Sequence, residues 1–329
     1  MVDPNVLALI PRINELDVLD VESNTQEWYD ARFAGIGGSE IAGILRISPW
    51  ENSTPLAIFK AKRERLVTPP NWNMKQGSAM EPITADAWAE AEGYTVYKVP
   101  MLIDKEKPWR RVNLDRIGVP IFGGSPRVVE IKWTTSQKPW ATIPKEYFVQ
   151  VIWQMYLTGL HETAYLVYSK PHQAPDFFPV DYDAELAEQI GEAVDRFWLD
   201  HVQANIEPPP MTPNEIIEDA VKRAIAKVVV DSTVEIDAIA RKIQQSKIES
   251  KRLDTEIKSL TAKIADFMAS QSAQKVKGSD YTISAITKRG NISYKSIVDE
   301  LNWPKEKLEQ YRGTESRFIT CRFKGESDE

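Results

Sequence analysis

The stretch VVEIKWTTSQKPW, residues 128–140, contains an apolar run that carries a carboxylate and an ammonium group two residues apart. Side chains alternate between the two faces of a strand, so Glu130 and Lys132 share one face and Val129, Ile131 and Trp133 share the other. A strand that is packed on both faces is expected to be apolar on both. The charged pair is therefore either an ion pair on an edge strand, which stabilises a fold little, or a metal ligand beside a charge-stabilising lysine.

Composition limits the class of protein. The chain of 329 residues is 42% hydrophobic and 27% charged, which is typical of a globular protein in water. Its formal net charge of -7 argues against a broad, non-specific coat of nucleic acid, but it is compatible with a nuclease whose acidic site holds a metal. The single cysteine, Cys321, excludes a disulfide framework or a cysteine-ligated cluster within one chain. With no long apolar run and no basic region before the first apolar stretch, we expect no membrane association and a reducing cytoplasm.

Proline residues divide the chain. The segment EPPPMTP, residues 207–213, breaks regular structure between a part that mixes helical and strand patterns and a part that is helical and free of glycine and proline up to residue 270. The remainder returns to strand-like alternation. We predict a first domain over residues 1–210, a helical arm or hairpin over 211–270 and a small C-terminal α+β segment over 271–329.

Local signals predict the elements of the first domain. Helix caps and apolar periodicity predict helices that begin after Thr25, at Ser39, near Thr54, at Glu81 with Pro82 in the first turn, and after Pro144. Alternation predicts strands in YTVYKVPML (94–102), RRVNLDRIGV (110–119) and RVVEIKW (127–133). Helices and strands in this order predict an α/β core with a mixed sheet.

An aspartate lies on the strand before the opening stretch. Residues 111, 113 and 115 share one face of the predicted strand 110–119. If the turn IFGGSP folds this strand against the next one, Asp115 meets Glu130 and Lys132. Magnesium prefers oxygen ligands, so Asp115, Glu130 and a backbone carbonyl such as that of Ile131 would form a partial cage.

Two further polar groups are candidates for the same site. Glu81, at the predicted helix start, is either a third carboxylate or a plain charge that interacts with the helix dipole. Gln150 and Gln154 lie one turn apart on an otherwise apolar helix, and they either face the site or form a solvated stripe. The basic run KAKRERL (60–66) and the pair Arg110 and Arg111 either contact a phosphate backbone or face solvent.

The helical arm carries a stripe with alternating steps of three and four residues. We call it the heptad seam; it comprises Ile236, Ile239, Ile243, Ser246, Ser250, Leu253, Ile257, Leu260, Ile264 and Phe267. A helix at 214–230 can pair with the seam as a hairpin, or the seam can pack on the first domain. An intermolecular coiled coil is the alternative, and the short connection favours the first two.

An ordered set of motifs over roughly residues 22–205 resembles the YqaJ-like family of phage-type recombinases, which includes the lambda exonuclease and belongs to the PD-(D/E)xK nuclease superfamily. The motifs are Trp28-x3-Arg32-x2-Gly35-Ile-Gly-Gly-Ser39, Gly77-x3-Glu81-Pro, Leu114-Asp115, Glu130-Ile-Lys132 and Pro144-x2-Tyr147-x2-Gln150. Leu114 stands where the family usually has proline. The resemblance implies a restriction-endonuclease-like mixed β-sheet core flanked by helices.

The resemblance also implies roles for these residues. Asp115 and Glu130 would bind Mg²⁺, for which Mn²⁺ can substitute, with Glu81 close by as a ligand or water holder. Lys132 would be the catalytic lysine, and Gln150 would contact the metal-site water or the scissile phosphate.

The glycine-rich motif would bind the end of the DNA. By resemblance, Arg32 and Ser39 line a pocket for a terminal 5′-phosphate. A helix that begins at Ser39 would attract an anion, Gly37 and Gly38 permit close backbone approach, and Arg32 can clamp a phosphate through two hydrogen bonds. Trp28, on the same motif, is either a core residue or a platform on which a base stacks, and the core is favoured.

The function implied by the resemblance is a Mg²⁺-dependent exonuclease of phage recombination. It would act on double-stranded DNA ends, degrade the 5′-ended strand and leave 3′ overhangs. Its implied partners are two further copies in a trimeric ring and a single-strand annealing protein. The alternatives are a structure-specific or nicking endonuclease of the same superfamily, which needs no 5′-phosphate pocket, and a non-catalytic DNA-binding or scaffold module.

Overall fold

The computed structural model describes residues 4–135, 140–224 and 228–287. The chain divides at the proline cluster, with one compact unit that ends at Thr212 and a second that begins at Pro213. No helix within these ranges is long and apolar enough to cross a membrane. The finer division into three segments stays a prediction, and most of the third segment lies outside the described residues.

The first unit contains helices and strands in the mixed order that the sequence predicts. Its helices are α1 (Pro4–Leu7), α2 (Gln26–Phe33), α3 (Ile41–Ile44), α4 (Pro55–Glu64), α5 (Trp72–Glu92), α6 (Lys145–Thr158) and α7 (Ala184–Phe197). Its strands are β1 (Leu16–Leu19), β2 (Tyr94–Tyr97), β3 (Met101–Asp104), β4 (Arg111–Val112), β5 (Arg116–Pro120), β6 (Arg127–Trp133), β7 (Ala164–Ser169) and β8 (Asp176–Val180).

The main sheet is mixed, and the predicted α/β core with a mixed sheet flanked by helices is confirmed. Its strand order is β2-β5-β6-β7-β8; β6 and β7 are parallel, and the other neighbours are antiparallel. A second, antiparallel sheet has the order β1-β3-β4. Because β6 and β7 are parallel, the chain must cross over between them, and α6 is that crossover.

The opening stretch forms β6, which is buried on both faces by different helices. Val129 and Ile131 pack with Trp88 of α5 in a small core on one face. Val128 lies on the other face, in the main core that α6 joins through Ile152. Each apolar side chain that is buried in this way contributes about 1.5–3 kcal/mol relative to an exposed one. The face of β6 that holds Glu130 is therefore the face that α6 covers.

Two strands are shorter than predicted, because each predicted strand is divided into two in the structure. The stretch 94–102 divides into β2 and β3, which belong to different sheets. The stretch 110–119 divides into β4 and β5, so residues 111, 113 and 115 do not share one strand face. Asp115 lies in the break, directly before β5. The predicted pairing of this stretch with β6 is nevertheless confirmed, with Arg116 opposite Val129.

Two predicted helix starts are also wrong. The helix predicted from Glu81 begins at Trp72, where the Asn71 side chain accepts a hydrogen bond from Met74 N, so Glu81 and Pro82 lie inside α5. No regular α-helix begins at Ser39, because Gly38–Glu40 is a single 3-10 turn that leads into the four-residue α3. The predicted caps at Thr25 and Thr54 are confirmed, since each side chain accepts the expected backbone hydrogen bond.

The second unit contains α8 (Pro213–Arg223), α9 (Val234–Ser270) and a hairpin of β9 (Lys275–Lys277) and β10 (Thr282–Ser284). The predicted helix 214–230 therefore ends early. The apolar residues of the heptad seam lie on α9 and are between 37% and 60% exposed. None of the described residues of α8 is buried, and Met268 is the one buried residue of α9. The prediction that the seam packs in a hairpin or on the first domain stays a prediction.

Candidate active site

Asp115 and Glu130 are brought together by the pairing of β5 with β6. Asp115 precedes β5, and its Oδ2 accepts a hydrogen bond from the backbone N–H of Ile131, with an N–O distance of 2.8 Å. Its other oxygen, Oδ1, accepts no hydrogen bond from the described residues. Asp115 lies close enough to Glu130 for the charge of Glu130 to act on its carboxylate.

Glu130 is 1% exposed, and side chains donate to both of its oxygens. Oε1 accepts from Lys132 Nζ at 2.5 Å and from Gln150 Nε2 at 2.6 Å, and Oε2 accepts from Gln154 Nε2 at 2.6 Å. Lys132 Nζ also donates to Gln150 Oε1 at 3.1 Å. A buried charge that is paired and hydrogen-bonded in this way is held in one orientation.

Gln154 also contacts Glu130, whereas its sequence position was compatible with either the site or a solvated stripe. It is fully buried on α6, so the solvated stripe is wrong for this residue. Its Nε2 also donates to the backbone carbonyl of Asn113 at 3.2 Å, while its Oε1 has no partner among the described residues. The spacing of four from Gln150 is the signal that places both amides on one helix face.

Burial and neighbouring charge shift the pKa values of this group. Burial, followed by the charge of Glu130, raises the pKa of Asp115 to about 8. Burial alone would lower the pKa of Lys132, but the Glu130 and Asp115 carboxylates raise it, so the ammonium stays charged. The site therefore concentrates negative charge around one fixed cation.

Glu81 reaches the same cleft from α5. Its Oε1 forms ion pairs with Arg116 at 2.5 Å and with Lys98 at 3.5 Å. Its charge contributes to the raised pKa of Asp115, so the two carboxylates lie near one another. Within the described residues, no three His, Cys, Asp or Glu side chains form a ready metal cage. A role for Glu81 as a ligand stays a prediction.

The glycine-rich motif lies beside the carboxylates. Arg32 donates to Ser39 Oγ at 3.3 Å, and its guanidinium lies 4.8 Å from the centre of the Trp28 ring. A Cβ at Gly38 would lie 3.1 Å from Gln150 Cγ, so glycine permits this contact. A Cβ at Gly37 would meet open space, so the predicted close approach of a phosphate to the backbone there stays a prediction.

The buried ion pair of Lys62 with Glu40 holds the glycine-rich motif in place. The Lys62 side chain is 2% exposed and donates to Glu40 Oε1 at 2.6 Å and to the backbone carbonyl of Arg32 at 2.7 Å. Glu40 Oε2 in turn accepts from the backbone N–H of Gly37 at 2.9 Å. Burial lowers the pKa of Lys62, and Glu40 offsets part of that effect. Lys62 thus connects α4 to both arms of the motif.

Two of the basic residues, Lys62 and Arg110, are buried and have neither of the roles predicted for them. Lys62 is buried, as described above. Arg110 is buried against Asp195, with two hydrogen bonds of 2.8 Å. Arg111 donates to the backbone carbonyls of Ala31 and Pro108. Lys62 and Arg110 support the fold, whereas Arg111 is half-buried in the wall of the candidate cleft, and its contact with a phosphate stays a prediction.

One cleft of about 390 Å³ collects the predicted site residues. Both groups line it: the carboxylate group with Glu81, Asp115, Glu130, Ile131, Lys132 and Gln150, and the glycine-rich group with Trp28, Arg32, Gly38 and Ser39. Trp28 is half-buried in the cleft wall, so its assignment to the core is wrong. A cleft lined by both carboxylates and an arginine can hold a cation and an anion at once.

Comparison with known proteins shows what this part of the chain is similar to. Residues 27–161 match the family model of the YqaJ-like viral recombinase domain, and the predicted resemblance is confirmed. An uncharacterized protein YqaJ of Bacillus subtilis (strain 168) is 26% identical over 256 residues, which are 72% of this chain and 78% of that protein.

Solved structures with a similar fold include the alkaline exonuclease LHK-Exo from Laribacter hongkongensis. It is 21% identical, and the match covers 61% of this chain and 100% of that one with a TM-score of 0.46. A phage related exonuclease from Haemophilus somnus 129PT is 12% identical, with coverage of 52% and 95% and a TM-score of 0.41.

Proposed function

From the premise that residues 27–161 form a YqaJ-like viral recombinase domain, we propose that this protein is a Mg²⁺-dependent exonuclease that degrades the 5′-ended strand of linear duplex DNA. The product would be a 3′ overhang, ready for annealing in phage recombination. The observation that carries the proposal is the meeting of Asp115, Glu130 and Lys132 in one cleft with Arg32 and Ser39.

The donor set fits a hard divalent cation. Magnesium is usually bound through one or two carboxylates and keeps several waters, and here the carboxylates of Asp115 and Glu130 line one cleft. Asp115 and Glu130 would hold it, with the carbonyl of Ile131 and the carboxylate of Glu81 close by, and Mn²⁺ would substitute. When bound, the cation lowers the pKa of its water and stabilises charge on a phosphoryl oxygen.

The chain's own residues orient the reacting groups. Gln150 fixes Glu130 and Lys132 at the same time, so the ammonium stays directed into the cleft. Lys132 orients the attacking water and offsets negative charge that develops on the phosphate. The proposed reaction requires no nucleophilic side chain, because water is the nucleophile.

The Arg32 end of the cleft supports action at DNA ends. A guanidinium beside a hydroxyl and a bend rich in backbone N–H groups suits a terminal phosphate. An exonuclease that holds this phosphate has its scissile bond at a fixed distance from the carboxylates. We propose further, from the family resemblance, that the protein works as a trimeric ring and with a single-strand annealing protein.

The test compares end-labelled linear duplex with closed circular duplex, with and without Mg²⁺, and with 5′-phosphate or 5′-hydroxyl ends. We expect Mg²⁺-dependent release of nucleotides from linear duplex, faster from phosphorylated ends. Cleavage of the circle would favour the endonuclease, and binding without cleavage of either would favour the non-catalytic module.

Matched variants assign the residues. Lys132→Ala should abolish cleavage and leave duplex binding largely intact, while Lys105→Ala, an exposed lysine away from the cleft, should change neither. Arg32→Ala should remove the preference for phosphorylated ends, and Arg63→Ala on the exposed face of α4 should keep it. Undiminished cleavage by the Lys132 variant would remove this residue from the mechanism.

A further inference from the structure

We propose that the heptad seam of α9 is a self-association surface, through which two copies of this chain pair as an antiparallel two-stranded coiled coil. The inference rests on the second unit and does not depend on the nuclease assignment. It concerns the stripe of ten residues that the sequence analysis defined.

The seam is long, regular and uncovered. α9 has 37 residues, which corresponds to about 55 Å of helix. Its apolar seam residues are 37% to 60% exposed, and among the described residues of α9 only Met268 is buried. A mostly apolar stripe of this length on a helix surface, interrupted here only by Ser246 and Ser250, is typical of a coiled-coil seam that a second helix covers.

The chain itself offers no helix of matching length within its described residues. α8 has 11 residues, about 16 Å of helix, and would cover only about a third of the seam. None of the α8 residues is buried. A partner of the same length as α9 is needed, and a second copy of α9 has that length by definition.

The seam is complementary to itself when the second copy runs in the opposite direction. Positions a are 236, 243, 250, 257 and 264, and positions d are 239, 246, 253, 260 and 267. If α9 pairs with itself about its own centre, residues whose numbers add to 503 face each other, and every a meets a d. The layers are Ile236–Phe267, Ile239–Ile264, Ile243–Leu260, Ser246–Ile257 and Ser250–Leu253.

The two serines distinguish this arrangement from a parallel one. In the antiparallel pair each serine faces a large apolar residue, Ile257 for Ser246 and Leu253 for Ser250. In a parallel, in-register pair each serine would face its own copy, which places two successive polar layers in the middle of the seam. The antiparallel pair therefore buries a more continuous apolar core.

The flanking charges favour the same direction. In a parallel pair, each g position faces the e position five residues further on in the partner, so Lys242 would face Lys247 and Glu249 would face Asp254. In the centred antiparallel pair, g positions face g positions. Lys242 of each copy then faces Glu256 of the other copy, so this contact occurs twice.

The outer g positions also favour the antiparallel direction. Glu235 faces Lys263, and the two-fold axis produces that contact twice as well. The unfavourable contacts of the antiparallel pair are confined to Glu249 and Asp254, each of which meets its own copy beside the axis. Opposite charges thus outnumber like charges in the antiparallel pair only.

Charge reversal in the full-length protein tests direction and partner together. Association is measured by sedimentation velocity over a wide range of protein concentration. Lys242→Glu and Glu256→Lys should each raise the dissociation constant by about tenfold or more, and the double variant should return it to the parent value. Lys258→Glu, at an outward-facing b position, is the matched control and should have no effect.

The same variants distinguish the alternatives. A parallel coiled coil would be tightened by Lys242→Glu, because that change removes the contact of Lys242 with Lys247. A protein whose association is unchanged by Lys242→Glu, Glu256→Lys and Leu260→Asp does not associate through the seam, and the proposal is then wrong.

Cross-linking gives a second, independent measurement. In a Cys321→Ser background, a mixture of the Ile239→Cys and Ile264→Cys proteins should form a disulfide between unlike copies. Neither protein alone should do so, because the two copies of residue 239 lie about 37 Å apart in the antiparallel pair. Disulfides within each single-variant preparation would establish the parallel arrangement instead.

Discussion

At the scale of single residues, the site is organised around Glu130. Two glutamines of one helix donate to its two oxygens, and Lys132 donates to the oxygen that faces the cleft. The sequence predicts that Glu130, Lys132 and Asp115 converge, because alternation and a turn determine which residues share a face. It does not predict Gln154 as a partner, since a buried amide and a solvated amide have the same helical spacing.

Asp115 makes the metal-free protein sensitive to pH. Its pKa is raised to about 8 from the ordinary 3.8, so the folded state binds this proton more tightly than the unfolded chain does. The free energy of unfolding should therefore fall as pH rises from about 4 to about 8. Asp115→Asn should remove this loss and raise the Tm by a few degrees at pH 8, measured with a chelator present.

The control for this prediction is Asp17→Asn, which changes an exposed aspartate on β1. It should leave the pH dependence as it is in the parent protein. If the Tm of the Asp115 variant falls with pH as steeply as that of the parent, another group is responsible for the dependence.

Gln154 should act as a positioning residue for Glu130. Gln154→Leu keeps the volume but leaves Glu130 Oε2 without its donor, which should cost about 1–3 kcal/mol of stability. Binding of Mg²⁺, measured by calorimetry without DNA, should weaken as well, because Glu130 loses its fixed orientation. Gln189→Leu, on the outer face of α7, is the matched control, and equal Mg²⁺ binding by both variants would contradict the role.

At the scale of elements, local signals predicted well where a side chain caps its own helix. Thr25 and Thr54 are such cases. Strand ends were predicted badly, because the pattern in 110–119 still alternates although the ladder is broken: Val112 and Leu114 are both buried. The break exists because Asp115 bonds to Ile131 N of the next strand, and this tertiary contact leaves no trace in local alternation.

Pro82 is the other element-scale surprise, since it lies ten residues inside α5 rather than at its start. Proline there removes the N–H that would bond to the carbonyl of Ser78. Pro82→Ala should therefore stabilise the protein by about 1–2 kcal/mol, the helix gain less the greater freedom of the unfolded chain. Thermal unfolding measures this.

The same change tests the position of Glu81. A straighter α5 would move this carboxylate, so we expect slower cleavage despite the higher Tm. Pro120→Ala, at the end of β5, controls for the loss of a proline. A Pro82 variant with lower stability would show that the proline relieves strain in the helix.

At the scale of the whole molecule, the proline cluster separates two compact units. Composition alone predicted a break there. The helix that covers the heptad seam cannot be predicted in the same way, because the periodicity is the same for a hairpin and for an intermolecular pair. A chain that ends at Thr212 retains every cleft residue.

We therefore expect the truncated chain to stay folded and to keep its Mg²⁺-dependent cleavage of linear duplex, while it loses the association step that depends on α9. Circular dichroism, nucleotide release and sedimentation measure the three properties. A full-length Leu260→Asp protein is the control that removes the association without removing the unit. Loss of cleavage in the truncated chain alone would mean that the second unit acts directly on DNA.

The single parallel pair in the main sheet has an evolutionary consequence. Because β6 and β7 run the same way, the strand with Glu130 and Lys132 and the helix with both glutamines must follow each other directly. Residues 127–169 thus form one contiguous segment that carries Glu130, Lys132 and both glutamines, while Asp115, Glu81 and the glycine-rich motif are supplied by earlier parts of the chain. A circular permutant opened in the 121–126 turn would keep that segment uncut, and recombination between genes could exchange it as a block.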